Sequence, residues 1–216
     1  MITTEQESAI RDTLATMPHL AVGMGTAEQA CSIAALNLAL TGTLTDTVPD
    51  CMSKVIGRWI IGVQDQMPAT IRDSADWREL LVLAAGTGRE HEAERRALVL
   101  DWMWDALALA QPQADKGGYG SAWATMLRER TAETARAAAA SADAYAAAYA
   151  SVSAYAAAYA SAAAYASADA SAAASAAAAA SAAADAYTID PVGCLRRLVA
   201  VTDARAARDT KTTPLS

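Results

Sequence analysis

Cysteine and histidine are scarce in this sequence, which has three cysteines and two histidines in 216 residues. The cysteines, Cys31, Cys51 and Cys194, are odd in number and widely spaced, so they do not form a disulfide framework. We therefore expect reduced, buried thiols in an intracellular protein. A cysteine nucleophile paired with His19 or His91 is the alternative, but no local signature supports it. We predict no cofactor and no enzymatic activity.

Basic clusters are also missing. The net charge is −7 and the isoelectric point is near 4.8. Proteins that bind duplex nucleic acid or anionic membranes need lysine and arginine to neutralise phosphates. We therefore expect neither nucleic acid nor a membrane as partner. The closely spaced arginines amount to three pairs: Arg95-Arg96, Arg128 with Arg130, and Arg196-Arg197.

Long, strongly apolar runs are absent outside one alanine-rich stretch. That stretch carries Asp143, Asp169 and Asp185 and many serines, so it is too polar to span a bilayer. The amino terminus, MITTEQESAIRD, is polar and acidic and does not resemble a signal peptide. These features argue against a signal peptide and against a membrane-spanning segment.

Residues 1–136 contain nearly all the leucine, isoleucine, methionine and tryptophan. Helix-capping and helix-breaking residues at intervals along this segment predict a series of short helices. Thr4-x-x-Glu7 and Thr26-x-x-Gln29 fit the capping box, which opens a helix. The first helix should run to about Met17, and the second should run from Thr26 to about Leu40, where Gly42 stops it. Pro49 suits the first turn of a third helix.

The spacing of apolar residues supports the third helix and predicts three more. The third helix carries the clearest amphipathic stripe, with the i, i+3, i+4, i+7 spacing of a helix face: Met52, Val55, Ile56, Trp59, Ile60 and Val63. Ser74 caps a helix that ends at Gly86, and a longer helix extends from about Glu90 to Ala110, where Pro112 breaks it. Another helix starts near Ser121.

The alanine-rich stretch from Ala138 to Ala186 has 32 alanines in 49 residues, with no glycine or proline between Gly120 and Pro191. Alanine is the best helix former, which predicts one long helix. However, 16 of the 17 non-alanine residues fall on odd positions, and this period of two is typical of strands. The alternative is therefore a β-solenoid or silk-like strands.

We favour an all-α protein in three parts. A small helical bundle spans 1–136, a low-complexity alanine, serine and tyrosine repeat spans 137–188, and a short helix with a polar tail spans 189–216. The last helix should begin at Pro191, capped by Asp190. Five tyrosines at regular spacing form a candidate interaction stripe on the repeat: Tyr145, Tyr149, Tyr155, Tyr159 and Tyr165.

Several motifs resemble those of an uncharacterised family of bacteriophage and prophage proteins. They are CSIAALNLALTG (31–42), CMSKVIGRWIIGVQDQMP (51–68), LAAGTGREHEAER (83–95), LDWMW (100–104) and DPVGCLRRLV (190–199), with an alanine-rich repeat before the last. The resemblance implies a phage-encoded accessory protein in the cytoplasm of a bacterial host. It implies no activity and no catalytic residues.

Few residues suggest a metal, phosphate-binding or ligand site. His91 lies among Glu90, Glu92 and Glu94, but a zinc site needs three or four converging ligands, so we predict no metal. Gly86-Thr87-Gly88 lacks the Lys-Ser/Thr of a phosphate-binding P-loop and is better explained as a helix stop. The tryptophans, Trp59, Trp77, Trp102 and Trp104, are better explained as core than as a ligand pocket.

Two functions follow from this sequence. The first is a non-enzymatic accessory protein that self-associates or binds another protein through its alanine-rich segment. The alternative is a protein that sequesters a small anionic ligand, such as a nucleotide signal of host defence. Arg58 and Arg89 are its candidate ligand-binding residues, among arginines that also include Arg72 and Arg78.

Overall fold

The computed structural model describes residues 2–65, 67–148 and 190–209, and every regular element within them is a helix. The predicted all-α class is confirmed. An isolated backbone bridge between Gly25 and Ala30 lies in a turn and forms no sheet in the described ranges.

The described residues form two compact units. The first joins 2–98 to 190–209, and the second comprises 99–148. This division lies inside the segment 1–136, which the sequence suggests is a single domain. The first unit contains α1 (Thr4–Thr16), α2 (Ser32–Thr41), α3 (Lys54–Gln64), α4 (Ala69–Arg72), α5 (Ala75–Ala85), the start of α6 (Glu92–Ala108) and, numbered in chain order, α10 (Pro191–Asp209). The second contains the rest of α6, α7 (Gln111–Lys116), α8 (Gly120–Glu129) and α9 (Ala132–Ala148).

Two of the predicted helix starts are displaced. The capping box of α1 is formed by Thr3 and Gln6, one residue before the predicted pair. Helix α3 begins after Ser53, whose Oγ accepts a hydrogen bond from the Ile56 amide, while Pro49 lies in the turn that precedes it. At the start of each helix, two neighbouring residues are both suitable for the first turn or the cap. The spacing of apolar residues does not show which of the two begins the helix.

The predicted capping box at Thr26 and Gln29 is wrong. These residues form a turn, in which the Thr26 amide donates to the Gln29 carbonyl at 3.0 Å. Helix α2 begins only at Ser32, and the Sγ of Cys31 accepts from the Ala34 amide at 3.4 Å. Residues 21–31, which precede α2, are called the 21–31 loop below.

The predicted end of the long helix near Ala110 also differs from the structure. Helix α6 ends at Ala108, and Pro112 lies in the first turn of the separate helix α7, where its fixed φ is compatible with a helix. The predicted stops at Gly42 and Gly86 and the predicted cap at Ser74 are confirmed.

A pair of tryptophans marks the core of the first unit, where α2, α3 and α5 meet. Trp59 and Trp77 are fully buried, with ring centroids 6.3 Å apart and planes inclined by 45°. The Trp77 indole N–H donates to Ser32 Oγ at 3.1 Å, so its polar atom is satisfied inside the core. All six residues of the predicted α3 stripe are buried, and each stabilises the fold by about 1.5–3 kcal/mol.

Helix α10 belongs to the first unit, although it follows the alanine-rich segment in the chain. It packs against α5 and α3. Its inward face is apolar, with Cys194, Leu195 and Leu198 at 1% exposure or less. Asp190 caps it as predicted, because its Oδ1 accepts from the Gly193 amide at 2.7 Å. An exposed ion pair between Arg196 and Asp76 joins it to α5.

In the second unit, α8 packs against α7 and α9. Trp123 anchors α8, because it is buried and its indole N–H donates to the Leu107 carbonyl at 3.0 Å. Among the residues of α9 whose burial is described, the buried ones are alanines with the spacing of one helix face: Ala135, Ala138, Ala139 and Ala142.

The beginning of the alanine-rich segment is therefore helical. The backbone of α9 continues through 138–148, which supports the helical interpretation and weighs against the strand alternative. Residues 149–186 lie outside the described residues.

Candidate functional site

A polar cluster surrounds the start of α3, and it includes Arg89, one of the predicted ligand-binding residues. Thr87, a member of this cluster, lies just after the end of α5. Its Oγ1 accepts from the Ser53 amide at 3.0 Å and donates to the Ala84 carbonyl at 2.7 Å. The hydroxyl therefore joins the end of α5 to the start of α3.

Glu92, in the first turn of α6, completes the cap of α3. Its Oε1 accepts from the Lys54 amide at 2.8 Å, and its Oε2 accepts from the Val55 amide at 3.1 Å. The first amides of a helix lack partners within the helix and carry partial positive charge. The carboxylate satisfies both of them, so the position that a bound anion would take is filled by the protein's own side chain.

Arg89 is fixed by the chain around it. Its Nη2 lies 3.2 Å from the Pro49 carbonyl and 3.4 Å from Asp50 Oδ1, and its side chain is 31% exposed. Its Nη1 is buried without a hydrogen-bond partner among the described residues. Arg58 lies on the exposed surface of α3.

Arg95, one turn into α6, is the most deeply buried charged residue described, with no exposed surface. Its guanidinium donates to three carbonyls, those of Thr87 (3.2 Å), Gly88 (3.4 Å) and Leu198 (3.4 Å). Burial lowers the pKa of Arg95, while nearby Glu92 acts in the opposite direction. Arginine remains protonated in proteins, so the contacts place a cation among carbonyl oxygens.

A second polar cluster, which the sequence did not indicate, lies after α1. His19 Nδ1 is 2.9 Å from Asp73 Oδ2, and the Leu20 amide donates to Asp73 Oδ1 at 2.8 Å. Partial burial raises the pKa of Asp73, but these hydrogen bonds and nearby cations outweigh it and hold the pKa below its usual value. His19 is 65% exposed.

Two further arginines hold backbone carbonyls near this second cluster. Arg72 donates to the carbonyls of Leu20, Gln64 and Met67, and Arg78 donates to those of Leu14, Pro18 and Asp73. Their donors bind the protein's own backbone, which favours a structural role over binding of an anionic ligand.

The cysteines are free thiols, and burial raises the pKa of each. The effect is largest at Cys194, whose pKa rises to about 12. A thiol needs a lowered pKa to act as a nucleophile near neutral pH. These surroundings favour the structural role, most clearly for Cys31, which caps α2.

The remaining candidates are placed as follows. His91 is largely buried with Nδ1 3.7 Å from Glu94 Oε1, and no group of three or more potential metal ligands occurs in the described parts of the chain. Trp59, Trp77, Trp102 and Trp104 are exposed by 5% or less, which favours the core interpretation. Of Tyr145 only the helical backbone is described, and Tyr149, Tyr155, Tyr159 and Tyr165 lie outside the described residues.

No family model, curated protein or solved structure matches this chain. Within the ranges that the structure describes, no helix has both the length and the apolar character needed to cross a bilayer.

The cap by Glu92 leads to a prediction. Replacing Glu92 with alanine leaves two amides of α3 unsatisfied, and we expect a loss of about 1–2 kcal/mol in the free energy of unfolding. Glu133→Ala is the matched control, because Glu133 also lies in the first turn of a helix, α9, and is exposed. Urea unfolding followed by tryptophan fluorescence measures both. Equal losses in the two variants would show that the cap contributes nothing.

Proposed function

We propose that this chain is a non-enzymatic interaction protein, encoded by a bacteriophage or prophage, whose alanine-rich segment binds a second copy or another protein. The observation that carries the proposal is the packing of α9. This helix contains the first residues of the segment, and it packs against α8 with alanines at each of the buried positions that the structure describes in it. Small side chains allow two helix backbones to approach closely, and residues 149–186 have the same alanine-rich composition.

The position of the segment within the fold supports the same proposal. The first residues of the segment lie in α9, and α10, which follows the segment in the chain, is part of the first unit. The segment is therefore attached to folded structure at both ends.

Replacement of residues 149–189 by a glycine–serine linker of equal length tests this proposal. The replacement keeps α10 and the reach of the chain but removes the alanine faces. We expect the original chain to form an oligomer, or to retain a protein from a bacterial host lysate, and the replaced chain to do neither. Light scattering after size exclusion and a parallel pull-down measure this. If the original chain is a monomer of 22.3 kDa and captures nothing, the proposal fails.

A further inference from the structure

The 21–31 loop exposes two large apolar side chains close together in sequence. Val22 is 59% exposed and Met24 is 45% exposed. Two other large apolar residues among those described are similarly exposed, Leu83 in α5 and Leu109 just after α6, and each stands alone. Single exposed apolar residues are common on protein surfaces, whereas a pair on one loop calls for an explanation.

This loop is held in one conformation. Its amides and carbonyls pair across the turn at 3.0 Å, from Ala21 to Ala30, from Thr26 to Gln29 and from Cys31 to Met24. The Gly23 amide donates to Asp65 Oδ1, also at 3.0 Å. Gly25 has a φ of +78°, and a Cβ there would overlap the Gln29 carbonyl oxygen. The backbone that carries Val22 and Met24 is therefore ordered in advance, which reduces the entropy lost on binding.

The charged side chains of the loop itself and of the residue that holds its Gly23 amide are both acidic. Glu28 lies on the loop, and a hydrogen bond from Thr26 lowers its pKa. Asp65 lies at the base of the loop. No lysine or arginine occurs between Arg11 and Lys54 in the sequence. The cation that does reach the base of the loop, Arg72, directs its Nε and Nη1 to backbone carbonyls.

We infer that the 21–31 loop is a preformed docking surface for another protein, one whose contact face combines apolar side chains with lysine or arginine. Val22 and Met24 pack against the apolar side chains, and the flexible methionine side chain adapts to their shape. Glu28 and Asp65 attract the cations at its edge. Pairing of this loop with the same loop of a second copy is disfavoured, because it would bring Glu28 close to its counterpart.

The test uses two synthetic amphipathic helical peptides of the same leucine pattern, one with lysine and one with glutamate at the polar positions. We expect the lysine peptide to bind the full chain and to shift the amide resonances of the 21–31 loop, and the glutamate peptide not to bind. Val22→Ser with Met24→Ser is expected to weaken binding of the lysine peptide by about tenfold or more, because both apolar contacts are lost. Gly25→Ala, which keeps both side chains but distorts the loop, should weaken it as well.

Leu83→Ser and Leu109→Ser are the matched controls, because each removes an apolar side chain of similar exposure elsewhere. Both variants should bind the lysine peptide as tightly as the original chain does. The chain with the glycine–serine linker should also bind it, since this inference does not depend on the alanine-rich segment. The inference is overturned if neither peptide binds, if both bind equally, or if the double serine variant binds undiminished. A drop in oligomer mass in that variant would identify a second copy as the occupant and would also overturn it.

Discussion

A chain that ends at residue 148 is expected to lose the fold of its first unit, although it retains all the residues, 1–136, from which the sequence predicts a complete bundle. The reason is that α10 covers α5 and α3. Leu195 and Leu198 are fully buried there, and removing them forfeits about 4 kcal/mol of apolar burial. Small domains are stable by only about 5–15 kcal/mol, so this loss is a large part of the total.

Removing α10 also breaks polar contacts. Arg95 would lose its contact with the Leu198 carbonyl, and Asp76 would lose Arg196. The surface ion pair contributes little, whereas the buried guanidinium would become open to water on one side. Both changes act in the same direction as the exposure of the apolar surface.

The chain with a glycine–serine linker in place of 149–189 is the control for this truncation, since it lacks the same segment but keeps α10. We expect the control to unfold at nearly the temperature of the original chain and the truncated chain to unfold at a much lower temperature or to lack a cooperative transition. Thermal unfolding followed by circular dichroism distinguishes these results. A truncated chain as stable as the control would show that α10 is dispensable.

Local features of the fold were predictable from sequence because their causes are local. The spacing of apolar residues in α3 places them on one face whatever the rest of the chain does. Gly42 ends α2 because its φ of +72° suits glycine, and Ser74 caps α5 because its hydroxyl needs only the amide three residues later. Such features depend on a few neighbouring residues, which a single sequence displays.

The errors arose where a short pattern fits two structures. Thr26-x-x-Gln29 satisfies the capping-box spacing, but the positive φ of Gly23 and Gly25 turns the chain back before a helix starts. Pro49 and Ser53 are both suitable near the start of a helix, and only packing selects Ser53. A four-residue motif contains too little information to make these choices.

The polar cluster at α3 was beyond prediction because its contacts join distant parts of the chain. Glu92 caps a helix that begins 38 residues earlier, and Arg95 reaches a carbonyl 103 residues later. The sequence shows only an acidic helix start followed by arginines, a pattern that also fits a solvent-exposed face. The same limit applies to α10, whose place in the first unit depends on tertiary contacts alone.

Replacement of the buried Arg95 is expected to destabilise the protein strongly. Arg95→Ala leaves the carbonyls of Thr87, Gly88 and Leu198 without this donor and opens a space in the interior. Leaving a buried polar group without its partner costs about 1–3 kcal/mol, and the cavity left by the side chain adds to this loss. Arg128→Ala is the control, because Arg128 is 67% exposed and its removal should cost little.

Two further variants separate the reasons for this loss. Arg95→Lys keeps the charge but replaces the planar fork with one ammonium group, so it cannot reach all three carbonyls and should recover only part of the stability. Arg95→Met keeps much of the volume without the charge, and a stability above that of the alanine variant would assign the difference to packing. The urea midpoint of unfolding is measured for the original chain and for the four variants. If Arg95→Ala unfolds at the same urea concentration as Arg128→Ala, the buried guanidinium does not hold α10 against the loop after α5. The contribution of α10 to the first unit would then come from its apolar side chains alone.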